Sequence, residues 1–291
     1  MTFNAAKAQR LDTIIAGSLA GYPETKDGKA MFAYSLNLHF AWRSLLWRLP
    51  IAPNMEVLDV GTGFGILPFD LATQLPVSVT GSDINPSYIE TATDILSTLT
   101  ALGEFVKGSK VTFEVADICH LPNQSDTFDV VIVREVYLYL AEPMMASNEL
   151  FRVLKPGGLL CVEDNDDALY LTYPPPSSAM AQLHEAITKL QQSLGGDREV
   201  GRKLSTYLDT AGFHIEGVEL MSETLHRLAD PSEGEKSFVL AELRHAREKV
   251  ITAGVMDAQT FDALFDEVAN ERPHPEFRTN GRVVVLARKP T

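Results

Sequence analysis

The sequence predicts an α/β protein built on a mostly parallel sheet with helices on both faces. Three observations lead there. From residue 55 onward, short apolar runs suited to strands alternate with longer segments of helical periodicity. The runs "VVIV" and "LLCV" are apolar at every position, as in strands covered on both faces, whereas a half-exposed sheet alternates. The stretch "VLDVGTGFGI", Val57 to Ile66, sets Gly61, Gly63 and Gly65 directly after such a run, where a strand gives way to a helix.

In chain order, residues 1–50 carry helix-like segments, including the aromatic-rich "MFAYSLNLHFAWRSLLWRL". Then "EVLDVG" reads as a strand, "ILPFDLATQL" as a helix, "VSVTGSD" as a second strand and "PSYIETATDILSTLTAL" as its following helix. "KVTFEVAD" and "FDVVIVREV" supply the third and fourth strands, "MMASNELFRVL" a helix, and "GLLCVED" a fifth strand after a turn at Pro156 to Gly158. Residues 179–212 read as two helices broken at Gly195 to Asp197. Two strong helical patterns lie between the strand-like "HIEGVELM" and the closing "RVVVLARK". The expected division is a helical cap over 1–50, a core over 51–223, a helical lid over 224–277 and a final core strand over 278–291.

Composition narrows the function classes. A chain of 291 residues that is 45% hydrophobic can bury a substantial core. Its two cysteines, Cys119 and Cys161, lack the spacing of a disulfide framework or a zinc site. No segment approaches membrane-spanning length and the N-terminus has no secretory pattern, so a cytoplasmic setting is expected. A net charge of −14 repels a phosphate backbone, and no Lys/Arg stripe offsets it, which argues against nucleic acid as partner. Nothing in the sequence indicates the oligomeric state.

In an open parallel sheet, ligands bind beyond the carboxyl ends of the strands, and the first strand-to-helix loop is the usual floor. Glycines there let a ligand lie against the backbone. Asp83 ends the second strand about 20 residues on, the interval at which a carboxylate meets the two hydroxyls of a ribose. Asp117 ends the third strand and is placed to reach the exocyclic amine of a purine, with Ile84 and Ile118 as apolar walls. Taken singly, either aspartate is equally well a helix cap or turn residue. Together with the loop they form a nucleoside pocket. Ile66 stands where the dinucleotide pattern needs its third glycine, and no Gly-Lys-Ser/Thr follows, which sets aside nicotinamide cofactors and a phosphate loop.

With these motifs in register, the sequence resembles the class I S-adenosylmethionine-dependent methyltransferases, in their small-molecule branch, over roughly residues 50–165 plus the closing strand. "VLDVGTGFG" is similar to the family's first motif, "GSDINP" to its acidic strand end, and "VADICHLP" to its adenine-contacting segment; "FDVVIVREVYLYL" and "LFRVLKPGGLLCVED" are similar to its fourth and fifth strands. The resemblance implies a Rossmann-like sheet of seven strands with the last antiparallel. It implies that Asp59 supports the loop, that Gly61, Gly63 and Gly65 line the amino-acid part of S-adenosylmethionine, and that Asp83 takes the ribose. Ile84 would flank the adenine, Asp117 and Ile118 would hold its amine and face, and Arg134 with Glu135 would run beneath the methionine end. Many relatives have a small polar residue where Arg134 stands.

The expected chemistry is methyl transfer to a small, apolar metabolite at oxygen, nitrogen or carbon. Two readings stay open beside it: a cyclase that uses the sulfonium electrostatically without methyl transfer, and a non-catalytic nucleoside-binding module. Candidate catalytic groups are Tyr137 and His39, with Tyr139 and the acidic run Glu163, Asp164, Asp166 and Asp167 also near the expected site. No metal is expected, because contiguous loop acids are usually solvated or paired with backbone amides.

Overall fold

The computed structural model describes residues 4–20, 43–227, 233–271 and 276–291. The aromatic segment containing His39 lies outside the described residues, so its expected catalytic role meets no structure. What is described of the N-terminal region begins with α1 (Ala5–Ala20), whose Leu11 and Ile15 pack with Phe64, Phe69, Ile95 and Leu99. Buried Arg43 ties this helix down: its Nη atoms donate to Asp12 at 2.6 and 2.7 Å, and its Nε donates to Asp70 Oδ2 at 2.8 Å.

The alternation seen in the sequence is realised as β1 (Glu56–Val60), α2 (Ile66–Gln74), β2 (Ser78–Asp83), α3 (Pro86–Ala101), β3 (Lys110–Val115), β4 (Phe128–Arg134), α4 (Pro143–Val153) and β5 (Leu154–Asn165). Local chemistry sets the boundaries. Asn85 caps α3 by accepting from Ser87 N, and Pro86 takes the first helical position, where no amide is needed. A short β6 (Leu171–Tyr173), α5 (Ser178–Ser193), α6 (Leu204–Thr210), β7 (His214–Arg227), α7 (Glu233–Thr252), α8 (Ala258–Asn270) and β8 (Glu276–Arg288) follow.

The strands run β3-β2-β1-β4-β5-β8-β6 across the sheet, with β7 paired to the other side of β8. β1 to β5 are mutually parallel and β8 is antiparallel to its neighbours. Strand order reverses between β1 and β4, so their carboxyl ends frame the crevice where an open α/β sheet takes its ligand. One face is covered by a cluster around Val57, Leu71, Val79, Ile132 and Cys161, the other by Leu58, Val131, Val133, Leu160 and Val285. Adjacent positions on one strand thus serve opposite cores, which is why these runs are apolar throughout.

Three details differ from the sequence reading. Among the described residues the sheet has eight strands, the additional one being the three-residue β6, which continues the line of β5 along β8. Pro156 to Gly158 lies inside β5, where the pairing with β4 shifts register and Gly157 takes φ +74°; the strand bulges there where a turn is expected. Strand pairing also extends to Arg227 and back from Glu276, so the ends of the expected lid belong to a long β7–β8 ribbon.

Between those strands, α7 and α8 pack with α5 through Leu183, Leu190, Leu243, Val250, Phe261 and Val268, a cluster separate from the two sheet cores. No helix among the described residues is long and apolar enough to cross a membrane. Because Phe261 is fully buried in this cluster, Phe261→Ala is expected to cost about 3–5 kcal/mol locally. Hydrogen exchange should speed up in α5, α7 and α8 while amides of β1 to β5 keep their protection; equal loosening of the sheet would contradict a separate cluster.

Candidate active site

The loop after β1 is built from three left-handed glycines, with φ +74° at Gly61, +55° at Gly63 and +78° at Gly65. They are not equivalent. A Cβ on Gly61 would stand 2.2 Å from Val136 Cγ2, and one on Gly65 would stand 2.4 Å from the Phe113 ring. A Cβ on Gly63 would meet nothing within 4 Å. The outer two glycines permit close packing inside the protein, whereas the middle one leaves open space over the backbone.

The tip of β2 holds the loop. Ser82 O accepts from Gly61 N at 2.8 Å and Thr62 N at 2.9 Å. Asp83 Oδ2 accepts from Gly63 N and its Oδ1 from Asn85 N, both at 2.9 Å. Burial raises the Asp83 carboxyl, while these amides pull it back down. Asp83 therefore stands against Gly63, the residue that leaves the floor open, and each of its oxygens keeps a lone pair for a further donor. Ile84, next in sequence, is 69% exposed, a large apolar side chain set out in solvent at the crevice.

Asp59 is fully buried, and Thr62 Oγ1 donates to its Oδ2 at 2.7 Å. Burial raises its carboxyl, opposed by Arg134 and by Thr62. Its Oδ1 has no hydrogen-bond partner among the described residues. An orphaned buried oxygen beneath an open glycine loop is what a site for a polar ligand presents. Asp117, expected to end the third strand, lies beyond β3, which stops at Val115; it bridges to His120, its Oδ1 accepts from Cys119 N at 2.9 Å, and it is exposed. Ile118, by contrast, is buried in the main core cluster and offers a ligand little surface.

At the end of β4, Glu135 takes φ +51°, an uncommon conformation for a residue with a side chain. Its N donates to Glu163 O at 3.0 Å, and its Oε1 meets Arg282 Nη1 at 2.6 Å. The same Nη1 donates to Glu163 Oε1 at 3.0 Å. Arg134 acts electrostatically on the buried Asp59 and Glu163 carboxyls, opposing the rise that burial imposes on each.

The sequence expectation for Tyr137 needs correction. Tyr137 is completely buried and its hydroxyl shares a 2.9 Å hydrogen bond with Ser147, so it is spent on packing. Tyr139 is the exposed one, at 65%, in the turn over residues 137–139 that Asp164 holds by accepting from Leu138 N at 3.1 Å. Neighbouring protein partly desolvates the phenol and raises it, Glu135 and Glu242 raise it further, and Arg198 opposes them.

Glu242 of α7 and Arg198 of the loop after α5 had no sequence signal. Arg198 Nε donates to Asp167 Oδ2 at 2.5 Å and its Nη1 to Gln191 Oε1 at 3.1 Å. Burial raises Glu242, with Arg198 opposing. The acidic run is dispersed among arginines: Glu163 with Arg282, Asp166 with Arg202, Asp167 with Arg198. No group of three or more metal-type ligands stands together among the described residues.

Comparison with known proteins fits this geometry. The family model described as a methyltransferase domain matches residues 51–228. An O-methyltransferase of Pyrenophora dematioidea is 30% identical over 173 residues, 59% of this chain and 58% of that protein, so the chain spans little more than half the length of that relative. Among solved structures, a putative methyltransferase of Bacillus halodurans C-125 superposes with TM-score 0.55 at 18% identity, covering 86% of this chain and 98% of the other. The [4+2]-cyclase SpnF superposes with TM-score 0.54 at 22% identity, covering 98% of this chain and 96% of the other. The chain belongs to the class I S-adenosylmethionine-dependent methyltransferases. S-adenosylmethionine is the cofactor of that class.

Glu163 and Asp164 are fully buried, and burial pushes both carboxyls up to about 8, with Arg282 opposing for Glu163 and the Asn165 amide for Asp164. The folded protein thus keeps protons that the unfolded chain releases near pH 4. Stability contributed by the pair is present in full below that range and is lost as pH rises through about 8. Between pH 7 and 8 the melting temperature should fall, each group contributing a slope of up to about 1.4 kcal/mol per pH unit. Glu163→Gln removes one share, and identical slopes in a melting series of both proteins would refute the assignment.

Proposed function

We propose that the chain transfers a methyl group from S-adenosylmethionine to a small metabolite, at an oxygen acceptor. The observation that carries the cofactor part is the open floor at Gly63 beneath the Asp83 carboxylate, with Ile84 exposed beside it. The Asp83 oxygens would accept from the ribose hydroxyls, Ile84 would cover one adenine face, and Asp117 would meet the exocyclic amine. Asp59 supports the loop through Thr62. When bound, the cofactor supplies a methyl carbon already activated by its sulfonium. The chain's own residues then have to align the acceptor and exclude water, and alignment alone is worth on the order of 7–11 kcal/mol.

The acceptor would lie near the exposed Tyr139 ring, where Glu135, Glu242 and Arg198 act electrostatically. Such surroundings are more polar than a purely apolar lid, which suits a small molecule carrying one or two hydrogen-bonding groups on an apolar frame. Support for oxygen as acceptor is the name of the Pyrenophora relative. The likeness to SpnF is one of fold, so rearrangement enters only as an outcome of the same assay.

That assay incubates the protein with S-adenosylmethionine and a panel of phenols, carboxylic acids and amines, read by mass spectrometry. A product heavier by one methylene unit with S-adenosylhomocysteine released is expected among the oxygen acceptors. An isomer of the substrate, with the cofactor intact, would replace this reading by the cyclase one.

For the cofactor site, Asp83→Ala should weaken S-adenosylhomocysteine binding by about 1.5–3 kcal/mol, the range for hydrogen bonds to a charged group. Isothermal titration calorimetry measures it, and an unchanged affinity would remove Asp83 from the pocket.

A further inference from the structure

We propose that Arg282 is a positioning residue of the methyl-transfer site, fixing the Glu135 carboxylate at the tip of β4 as an anionic contact for the cofactor's cationic end. The inference rests on the cofactor reading above and deepens it: nothing in the glycine loop or in the strand-end aspartates involves β8.

Arg282 is only 3% exposed and pairs in the sheet with Asn165 of β5 and Met221 of β7. Its side chain runs along the sheet face to the β4–β5 tips, where one Nη1 atom bridges Glu135 Oε1 at 2.6 Å and Glu163 Oε1 at 3.0 Å. Burial falls off along this chain of charges in one direction. Glu163 is fully buried, the Arg282 side chain is 4% exposed, and the Glu135 side chain is 36% exposed. Of the three, only Glu135 emerges, just past the end of β4 and in the same tip as the exposed Tyr139.

Its backbone is constrained as well. A residue with a side chain at φ +51° is strained and keeps that conformation only where its surroundings enforce it. Here the Glu135 N–H bond to Glu163 O fixes the peptide and the guanidinium fixes the carboxylate. The Nη1 that meets the Glu135 carboxylate also donates to the fully buried Glu163 carboxyl, so the cation that holds Glu135 is itself anchored in the protein interior. An anion so fixed attracts S-adenosylmethionine, which bears a sulfonium, more than S-adenosylhomocysteine, whose sulfur is neutral. The arrangement therefore favours binding of the donor over its spent form.

The test is the ratio of affinities for these two compounds, measured by calorimetry on the full chain carrying Glu135→Gln, Arg282→Lys or Arg282→Met, alongside melting temperatures. In Glu135→Gln the preference for S-adenosylmethionine should fall at least threefold, with Arg282→Met matching it and Arg282→Lys falling between. A residue that merely stabilises the fold would lower the melting temperature and leave the ratio untouched. Arg282→Met leaves Glu163 buried without its partner; if it fails to fold, Glu135→Gln and Arg282→Lys still decide. Unchanged ratios in those two folded variants overturn the proposal. A wild-type protein that binds neither compound overturns the cofactor reading instead, so the two failures are distinguishable.

Discussion

The carboxyl end of β2 is the hinge on which the rest of the site is hung. Ser82 O takes two amides of the glycine loop and Asp83 Oδ2 takes a third, so three successive N–H groups of a left-handed turn are satisfied by a neighbouring strand and not by the turn itself. That anchoring holds Gly63 bare and open while Gly61 and Gly65 sit hard against Val136 and Phe113. Without it the loop would collapse onto its own donors, because buried amides left unpaired are costly. The parallel register of β1 on β2 is what brings the strand ends level, Val60 opposite Ser82.

A second theme is charge held out of water. The chain is strongly acidic overall, yet its sheet tips bury a row of carboxyl groups beside the guanidiniums of Arg134 and Arg282, and burial pushes Asp59 and Glu163 toward their protonated forms. Such a row is an expensive way to stabilise a fold, since desolvation consumes most of what the pairing returns. Its value lies in fixing directions: each carboxylate is held where its neighbours require it, including Glu135 where it reaches the crevice. Arg43, bound to Asp12 and Asp70, does the same for α1 on the far edge of that sheet face.

The helices beyond the sheet form a different kind of structure. α5, α7 and α8 share an apolar cluster of their own and are carried by the long β7–β8 ribbon. Glu242 of α7 acts electrostatically on Tyr139 beyond β4, so this helical cluster brings charge toward the strand tips.

The sequence by itself determined what nearest neighbours along the chain decide. Strand and helix alternation, the glycine loop and the place of Asp83 at the end of the second strand were legible, because uniform apolar runs, caps and backbone freedom are local properties. Tertiary structure decided what depends on facing and distance. Tyr137 and Tyr139 stand two residues apart in one tight turn, yet one is buried against Ser147 and the other is exposed; only packing separates them. Arg282 and Glu163 are 119 residues apart and meet because an antiparallel last strand closes beside β5. Pairings of that span leave no periodic trace in the chain, since either residue taken alone is an ordinary charge inside a strand.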